Sequence, residues 1–104
     1  MAPFQAGQFT KLALDINGEV AGRPFSFVNA PGATTLEFYF IEVPGGLHSQ
    51  RLAVLEAGDP VWVTPQAVGF ITLSEVPDTK HLWLLSTGTG LGPFLSILKT
   101  EAPW

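Results

Sequence analysis

The sequence predicts a mainly β domain that is followed by the beginning of an α/β unit. The chain has 104 residues, of which 46% are hydrophobic and 13% are charged, so it can bury one modest core. Eleven glycines and nine prolines recur between short apolar runs, a pattern typical of strands joined by tight turns. Near residue 80 the pattern changes to an apolar strand, a glycine-rich loop and an apolar helix, the order in which a parallel α/β domain begins. We therefore expect one unit over 1–79 and a second over 80–104.

Short strands are expected throughout the first unit. The first, Phe9–Ile16, ends at Asn17-Gly18, a dipeptide that favours a two-residue hairpin. The others are predicted from runs rich in aromatic and β-branched residues, over 25–29, 36–43, 61–64 and 70–73. Because side chains alternate along a strand, the odd-numbered residues of 36–43 should share one face and the even-numbered residues the other.

Each unit is expected to contain one helix. A short helix over 49–56 has leucines at helical spacing, with Ser49 as its N-cap and Gly58 as the residue that closes it. In the second unit, the nearly continuous apolar run 81–86 predicts a strand that is buried on both faces. Pro93 then lies where the second helix begins, and residues 101–104 end that helix.

Charge and composition exclude several classes of function. The net charge is −4 and the few cations are scattered, so we expect no nucleic-acid surface. A sequence without cysteine cannot form disulfides, thiolate metal ligands or a cysteine nucleophile. Neither His48 nor His81 has partners at metal-ligand spacing, so no metal site is expected. The sequence shows no secretory leader and no membrane-spanning run, which predicts a soluble cytoplasmic protein without a membrane partner.

The glycine-rich loop over 86–93 is the first candidate site. Gly88, Gly90 and Gly92 let the backbone turn sharply and approach a ligand closely. The helix that follows presents unpaired N–H groups, which suit the pyrophosphate of a dinucleotide cofactor. The spacing fits neither the P-loop nor the common Rossmann pattern. An ordinary strand–helix turn is the alternative.

Arg23-Pro24-Phe25-Ser26 is the second candidate site. A guanidinium can hold a phosphate through paired N–H donors, and the neighbouring ring and hydroxyl can contact other parts of a cofactor. The alternative is that Arg23 is a surface residue paired with Glu19 or Glu42.

Two other polar residues each have two interpretations. Tyr39 can stack on a planar ligand ring or pack as an ordinary strand residue. Ser49 can cap the short helix or bind a phosphate at the same position. No serine is marked as an activated nucleophile, so redox chemistry here needs a bound cofactor.

Taken in order, the motifs resemble those of the bacterial ferredoxin (flavodoxin)–NADP reductases. The resemblance covers essentially the whole chain, and its segments are PFQAGQF from residue 3, RPFS from residue 23, LEFY from residue 36, VPGG from residue 43 together with Ser49, and TGTGLGP from residue 87. It implies an antiparallel Greek-key FAD-binding barrel with one short helix over 1–79. The first strand, loop and helix of an NADP-binding α/β domain are implied for 80–104.

The resemblance also implies roles for individual residues. Arg23 would contact the FAD pyrophosphate, Phe25 would lie against the isoalloxazine, and Ser26 would be the catalytic residue, hydrogen-bonded near flavin N5. Tyr39 would contact the adenine side, and Thr89 would lie close to the flavin. The other implied contacts are Pro24 and the phosphate-binding turn of Leu47, His48 and Ser49 for FAD, and Thr87, Gly88 and Gly90 for NADP(H).

The implied function is the passage of electrons between NADPH and ferredoxin or flavodoxin through flavin N5. Phe25 replaces the usual tyrosine of the family, which also permits an NAD(P)H:flavin reductase. Relative to the family pattern, the chain is expected to begin after the first hairpin and to end within the NADP-binding domain. An FAD-binding fragment without turnover is therefore a second alternative, and a domain without a cofactor is a third.

Overall fold

The fold begins with a long β-hairpin. The computed structural model describes residues 1–101 and 103–104. Strand β1, Phe9–Ile16, and strand β2, Glu19–Ser26, pair antiparallel over their full length. Asn17 and Gly18 connect them with φ angles of 53° and 83°, the left-handed pair that a type I′ turn requires. The predicted hairpin and its first strand are confirmed.

The second strand differs from the sequence prediction. A strand was expected over 25–29, whereas β2 starts directly after the turn, ends at Ser26 and contains Pro24. Strand β3, Trp62–Val63, lies within the predicted strand 61–64 and pairs with β1, which gives the antiparallel sheet order β2-β1-β3. β2 is therefore an edge strand of this sheet, where a proline without an N–H is tolerated.

The core lies against one face of the hairpin. Thr10, Leu12 and Leu14 alternate along β1 and are all buried. Phe27 is completely buried and stacks on Phe4, with ring centroids 3.9 Å apart. Each large apolar side chain buried in this way contributes about 1.5–3 kcal/mol relative to an exposed one.

Helix α2, Leu91–Leu98, is joined to the β-rich part by buried polar groups. The Ser96 hydroxyl donates to the carbonyl oxygen of Asn29 at 2.6 Å, and both residues are buried. The side-chain oxygen of Asn29 accepts from the N–H of Glu37 at 2.8 Å. Lys99, just after the helix, forms an ion pair with Glu37 at 3.7 Å. Because a buried polar group is costly without a partner, this network fixes the position of α2 against the preceding loops.

Segment 36–43 does not form the predicted strand. Phe38 makes a single β-bridge with Phe27. The next backbone donor, the N–H of Glu37, is taken by the side chain of Asn29, so no regular ladder continues. The predicted alternation of faces is nevertheless present, because residues 36, 38 and 40 are partly buried and residues 37, 39 and 41 are exposed.

Helix α1, Leu47–Ala53, is shifted relative to the predicted helix 49–56. Its N-cap is Gly46, and Ser49 lies inside the first turn because its hydroxyl is engaged with the preceding loop. The C-cap is Val54. Gly58, with a φ of 97°, belongs to a later turn. The predicted roles of Ser49 as N-cap and Gly58 as helix terminator are therefore wrong.

The strand predicted over 70–73 is also absent. The residue that pairs in this region is Val68, which forms a bridge with Phe9. Gly69 follows with a φ of 117° and turns the chain away from β1. Leu73–Glu75 then form a 3-10 turn.

The apolar run 81–86 is exposed and forms no strand. Trp83 and Leu85 are 83% and 81% exposed. A strand buried on both faces needs neighbouring strands and covering layers. In the described part of the chain, the sheet consists of β1, β2 and β3. The prediction of a buried strand is therefore wrong.

The loop after this run leads into α2. A 3-10 turn over Gly88–Gly90 precedes the helix, and Pro93 lies in the first helical turn, close to its predicted place. The helix ends at Leu98, before the predicted end at 101–104. Ala102 in that predicted end lies outside the described residues.

We predict that Gly7→Ala strongly destabilises the chain. Gly7 has a φ of 101°, and a Cβ atom there would lie 1.6 Å from the carbonyl oxygen of Ile71. The backbone strain and the overlap together should lower the free energy of unfolding by about 3 kcal/mol or more. Urea denaturation of the purified chain measures this loss.

Gly32→Ala is the matched control for this substitution. Gly32 also has a left-handed φ, 84°, but a Cβ there would meet nothing within 4 Å. Its cost should be limited to the left-handed backbone of a residue with a side chain, about 1–2 kcal/mol. Equal losses in the two variants would contradict the predicted overlap at Ile71.

Candidate functional site

A broad groove runs along β2 and continues past the start of α1. It is bounded by residues 16–26, 39–49 and 89–92, and we call it the β2 groove. Its volume is 1040 Å³. Small-molecule and cofactor sites usually span about 300–1,000 Å³, so the β2 groove has room for a large ligand. Because its walls come from separate segments, such a ligand would be contacted from several sides.

Every residue predicted to contact FAD lines the β2 groove. The lining includes Arg23, Pro24, Phe25, Ser26, Tyr39, Leu47, His48, Ser49 and Thr89. Of the residues predicted to contact NADP(H), Gly90 belongs to the lining, whereas Thr87 and Gly88 do not. The structure thus brings together residues that the sequence only places in order. Their individual roles stay predictions.

Arg23 is the basic residue of the β2 groove. It lies opposite Leu12 in the hairpin and is exposed. Its Nη1 donates to the carbonyl oxygen of Gly22 at 2.8 Å, and no carboxylate of the described residues lies within ion-pair distance. The alternative pairing with Glu19 or Glu42 is therefore not formed. The guanidinium is available to an anionic ligand group.

Phe25 and Ser26 follow Arg23 at the end of β2. Both are half-buried, and they lie opposite Thr10 and Phe9 in the hairpin. Phe25 stacks on the imidazole of His48, with ring centroids 5.8 Å apart and an interplanar angle of 25°. A ring held in this way can present an apolar surface to a planar ligand, and the adjacent hydroxyl can hydrogen-bond to its edge.

His48 is buried between α1 and β1. Its Nε2 lies 3.0 Å from the carbonyl oxygen of Leu12. A carbonyl oxygen only accepts, so Nε2 carries the proton and donates. Nδ1 is buried and has no hydrogen-bond partner among the described residues.

The loop before α1 is closed by the Ser49 hydroxyl. Its Oγ accepts from the N–H of Val43 at 2.9 Å and donates to the carbonyl oxygen of Gly46 at 3.2 Å. Gly46 fits tightly, since a Cβ there would lie 3.0 Å from both Ser49 Oγ and Val43 Cβ. The loop therefore brings backbone groups close to the β2 groove in a fixed shape.

Tyr39 and Thr89 lie in other walls of the β2 groove. The side chain of Tyr39 is about half-exposed, with 48% of its surface accessible. Its ring can therefore stack on a ligand in the groove. Thr89 lies in the 3-10 turn before α2 and is exposed.

The β2 groove also contains residues that the sequence analysis missed. Among them, Glu19 and Ala21 share the face of β2 that carries Arg23 and Phe25, because these residues are spaced two apart. The period of two would have found them if β2 had been predicted from its true start. The others missed are Ile16, Asn17, Phe40, Ile41, Val43, Gly45 and Gly46.

Charged side chains are few in the β2 groove. Among its lining residues, Arg23 is the permanent cation and Glu19 is the carboxylate. No group of three or more metal-ligating side chains occurs within 1–101 and 103–104. In the same residues, no helix has both the length and the apolar character needed to span a membrane.

Comparisons with known proteins point to one class of oxidoreductase. No protein-family model matches the chain. The flavodoxin/ferredoxin–NADP reductase of Shigella flexneri is 56% identical over 97 residues, which is 93% of this chain and 39% of that protein. The reductase of the same name from Escherichia coli K12 is 55% identical over the same shares. The ferredoxin–NADP reductase of Pseudomonas aeruginosa is 38% identical over 92% of this chain and 37% of its own length.

A solved structure agrees with these relatives. The crystal structure of a ferredoxin NADP⁺ reductase from Neisseria gonorrhoeae, with bound FAD and NADP, superposes with a TM-score of 0.91. It is 36% identical in sequence, and the match covers 96% of this chain and 41% of that one. The mainly antiparallel β fold that the sequence predicts is confirmed.

Fold and sequence thus relate the chain, over nearly its whole length, to NADP reductases. More particularly, it is homologous to part of the bacterial ferredoxin/flavodoxin–NADP reductases, and the predicted resemblance to that family is confirmed. The chain spans about two fifths of the length of the relatives that it matches.

We predict that Ser49→Ala loosens the loop before α1. The substitution removes the acceptor of the Val43 N–H and the donor to the Gly46 carbonyl. The free energy of unfolding should fall by about 0.5–1.5 kcal/mol, and the Val43 amide proton should exchange faster with solvent. Hydrogen exchange followed by NMR measures both. Ser86→Ala, at an exposed position outside the groove lining, is the control, and an unchanged Val43 exchange rate in Ser49→Ala would refute the prediction.

Proposed function

We propose that the β2 groove binds FAD and that the protein acts as a ferredoxin/flavodoxin–NADP⁺ oxidoreductase. One observation carries this proposal. The nine residues that the family motifs assign to FAD come from four separate segments, and all of them line one groove of 1040 Å³. A set of unrelated surface residues would have no reason to converge in this way.

The residues present fit the cofactor. Arg23 is exposed and unpaired with any carboxylate of the described residues, as a phosphate-binding arginine should be. The loop closed by Ser49 brings the backbone of Gly46 and of the start of α1 to the same groove. Phe25 and Tyr39 supply aromatic surface in separate walls. A dinucleotide with two ring systems joined by a pyrophosphate matches this arrangement of groups.

Each residue has a role in the proposal. Arg23 holds the pyrophosphate together with the turn of Leu47, His48 and Ser49, and Pro24 contributes contact area beside it. Phe25 lies against the isoalloxazine, and Tyr39 contacts the adenine side. Ser26 is the catalytic residue, with its hydroxyl hydrogen-bonded near N5, and Thr89 lies close to the flavin ring.

The chain contributes positioning and exclusion of water. When bound, FAD supplies the conversion between a two-electron hydride donor and a one-electron carrier. Phe25 and the half-buried end of β2 fix one face of the ring. Ser26 orients the reacting edge. Holding the reacting atoms in register accounts for most of what a protein adds to such chemistry.

The remaining assignments follow from the same homology. Thr87, Gly88 and Gly90 are proposed to contact NADPH, and 80–104 is proposed to begin the NADP-binding domain after an FAD-binding domain over 1–79. The partner is proposed to be ferredoxin or flavodoxin, with electron transfer in the cytoplasm. The names of the relatives support NADPH and ferredoxin or flavodoxin as partners.

A second candidate is an FAD-binding module without turnover. It is favoured by the positions of Thr87 and Gly88, which do not line the β2 groove. The two candidates differ in one measurement. After FAD is added and excess is removed by desalting, protein-shifted flavin absorption bands are expected with either candidate. Steady oxidation of NADPH by the flavin-loaded chain is expected only for the reductase. A folded chain that retains no flavin would refute both.

We predict that Arg23→Ala weakens FAD binding. Loss of charge-assisted hydrogen bonds worth about 1.5–3 kcal/mol should raise the Kd for FAD by about 10- to 100-fold. The Kd of Arg23→Lys should lie between those of the wild-type chain and Arg23→Ala, because lysine keeps the charge and loses the paired donors. Quenching of flavin fluorescence on titration with the protein measures the Kd.

Arg51→Ala is the matched control for Arg23. Arg51 is an exposed cation of α1 that does not line the β2 groove. Its removal should change the Kd for FAD by less than about twofold, since exposed charges contribute little. An equal effect of the two substitutions would show that net charge, and not a contact at Arg23, governs binding.

We predict that Ser26→Ala separates binding from chemistry. The side chain is half-buried beside Phe25, where it can orient the reacting edge of the flavin. Its loss should slow reduction of the bound flavin by about tenfold or more and change the Kd much less. Stopped-flow reduction by NADPH gives the rate, and the fluorescence titration gives the Kd. Equal losses in rate and affinity would remove Ser26 from the catalytic role.

A further inference from the structure

A buried imidazole lies behind the aromatic ring of the β2 groove. His48 is 6% exposed, its Nε2–H donates to the carbonyl oxygen of Leu12, and its ring stacks on Phe25. We propose that His48 is a positioning residue that fixes the plane in which Phe25 presents its ring to the groove. This inference rests on the proposed flavin site and goes beyond the phosphate-binding role given to residues 47–49.

The hydrogen bond at Nε2 determines which ring nitrogen of His48 donates. Because the Leu12 carbonyl cannot donate, the proton must be on Nε2, and Nδ1 of the neutral ring is then an acceptor. That acceptor is buried and has no partner among the described residues. A ring whose Nε2–H donates to this carbonyl oxygen has one orientation in the site.

An apolar residue would avoid the cost of the unpaired acceptor. A leucine or phenylalanine at position 48 would have no polar atom of its own to satisfy, although it would remove the donor from the Leu12 carbonyl. The imidazole therefore contributes something other than packing. Its donor and its ring face act on two different partners, and an apolar side chain cannot replace both.

The partner of Nε2 lies in the central strand of the sheet. Leu12 pairs with Arg23 of β2 on one side and with Val63 of β3 on the other. The hydrogen bond thus attaches α1 to the central strand, at the level of Arg23. The ring that is attached there then lies 5.8 Å from the Phe25 ring at an interplanar angle of 25°.

The His48 side chain therefore connects three parts of the β2 groove. The turn of α1, the strand that carries Arg23 and the ring of Phe25 are held in a single geometry through His48. A phenyl ring has no hydrogen-bonding group that fixes its plane. Packing must do so, and a tethered neighbour on one face leaves the other face for a planar ligand. His48 acts on the flavin through Phe25 and is not itself a catalytic residue.

Two variants separate the donor from the ring. His48→Phe keeps an aromatic ring and removes the donor, whereas His48→Gln keeps an amide donor near the Nε2 position and removes the ring. Gln50→Ala in the same helix is the control, because Gln50 does not line the β2 groove. Aromatic ¹H–¹³C NMR of the ligand-free chain, with labelled phenylalanine, reports the surroundings of Phe25 directly. Both His48 variants should shift or broaden the Phe25 signals, and Gln50→Ala should leave them unchanged.

The same variants are then compared after loading with FAD. FAD is added to saturation, so that a change in the Kd of a variant does not affect the comparison. The visible circular dichroism of the bound flavin should change in both His48 variants, because it depends on how the ring system is oriented in its asymmetric site. Retention of the wild-type Phe25 signals or of the wild-type dichroism in either variant would overturn the proposal.

The wild-type chain decides the question if the variants do not fold. Long-range ¹H–¹⁵N NMR should show the Nε2–H tautomer of His48, and cross-relaxation should connect the His48 and Phe25 ring protons. An Nδ1–H tautomer, a mixture of tautomers or a missing cross-peak would overturn the proposal. If the wild-type chain binds no FAD, the proposed function fails, and the NMR results on the ligand-free chain still decide the role of His48.

Discussion

The pairing of β1 with β2 is the constraint on which the core and the groove both depend. Residues opposite each other in an antiparallel pair project to the same face of the sheet. Thr10 and Leu12 of β1 are buried, and their partners Phe25 and Arg23 line the β2 groove. On the same face of the sheet, the side chains of β1 are thus buried and those of β2 line the open groove. A shift of β2 by one residue relative to β1 would turn Arg23 and Phe25 away from the groove.

The register of this pairing is itself fixed by the backbone conformation of the turn. Asn17 is the non-glycine residue with a positive φ in the described chain, and the φ of Gly18, which follows it, is also positive. Asp15 supports the turn by accepting from the N–H of Gly18 at 3.0 Å. These few atoms determine which residues of β2 line the groove. The functional site is therefore specified in part by an exposed turn at the end of the hairpin.

The sequence could predict those features that depend on local chemistry. Asn17-Gly18 identified the hairpin, because few dipeptides adopt two left-handed residues in succession. Residues 36–43 were predicted as a strand on composition, but the side chain of Asn29 captures a backbone donor that a ladder would need. Asn29 is distant enough that no local pattern reveals this competition. The start of β2 was missed for a related reason, since Gly22 and Pro24 weaken the strand signal and only pairing with β1 makes it a strand.

The sequence likewise predicted some features of the site and missed those that depend on distant parts of the chain. The motifs placed Arg23, Phe25 and Tyr39 in the right order, and the fold made them neighbours across one groove. Ser49 lines the groove but does not cap the helix, because its hydroxyl bonds to the preceding loop. The burial of His48 had no sequence signal, because it depends on a carbonyl group of a distant strand.

The exposed apolar run 81–86 has a consequence for the thermodynamics of the chain. Trp83 and Leu85 present large apolar surfaces beside an extended backbone that pairs with none of the three strands of the described residues. Any surface that covers this stretch, whether a strand, a sheet edge or an apolar layer, lowers the free energy of the folded chain. Whatever binds only the folded form adds to its stability in proportion to the logarithm of its concentration. The midpoint of thermal unfolding is therefore a property of the chain together with its surroundings, and not of the chain alone.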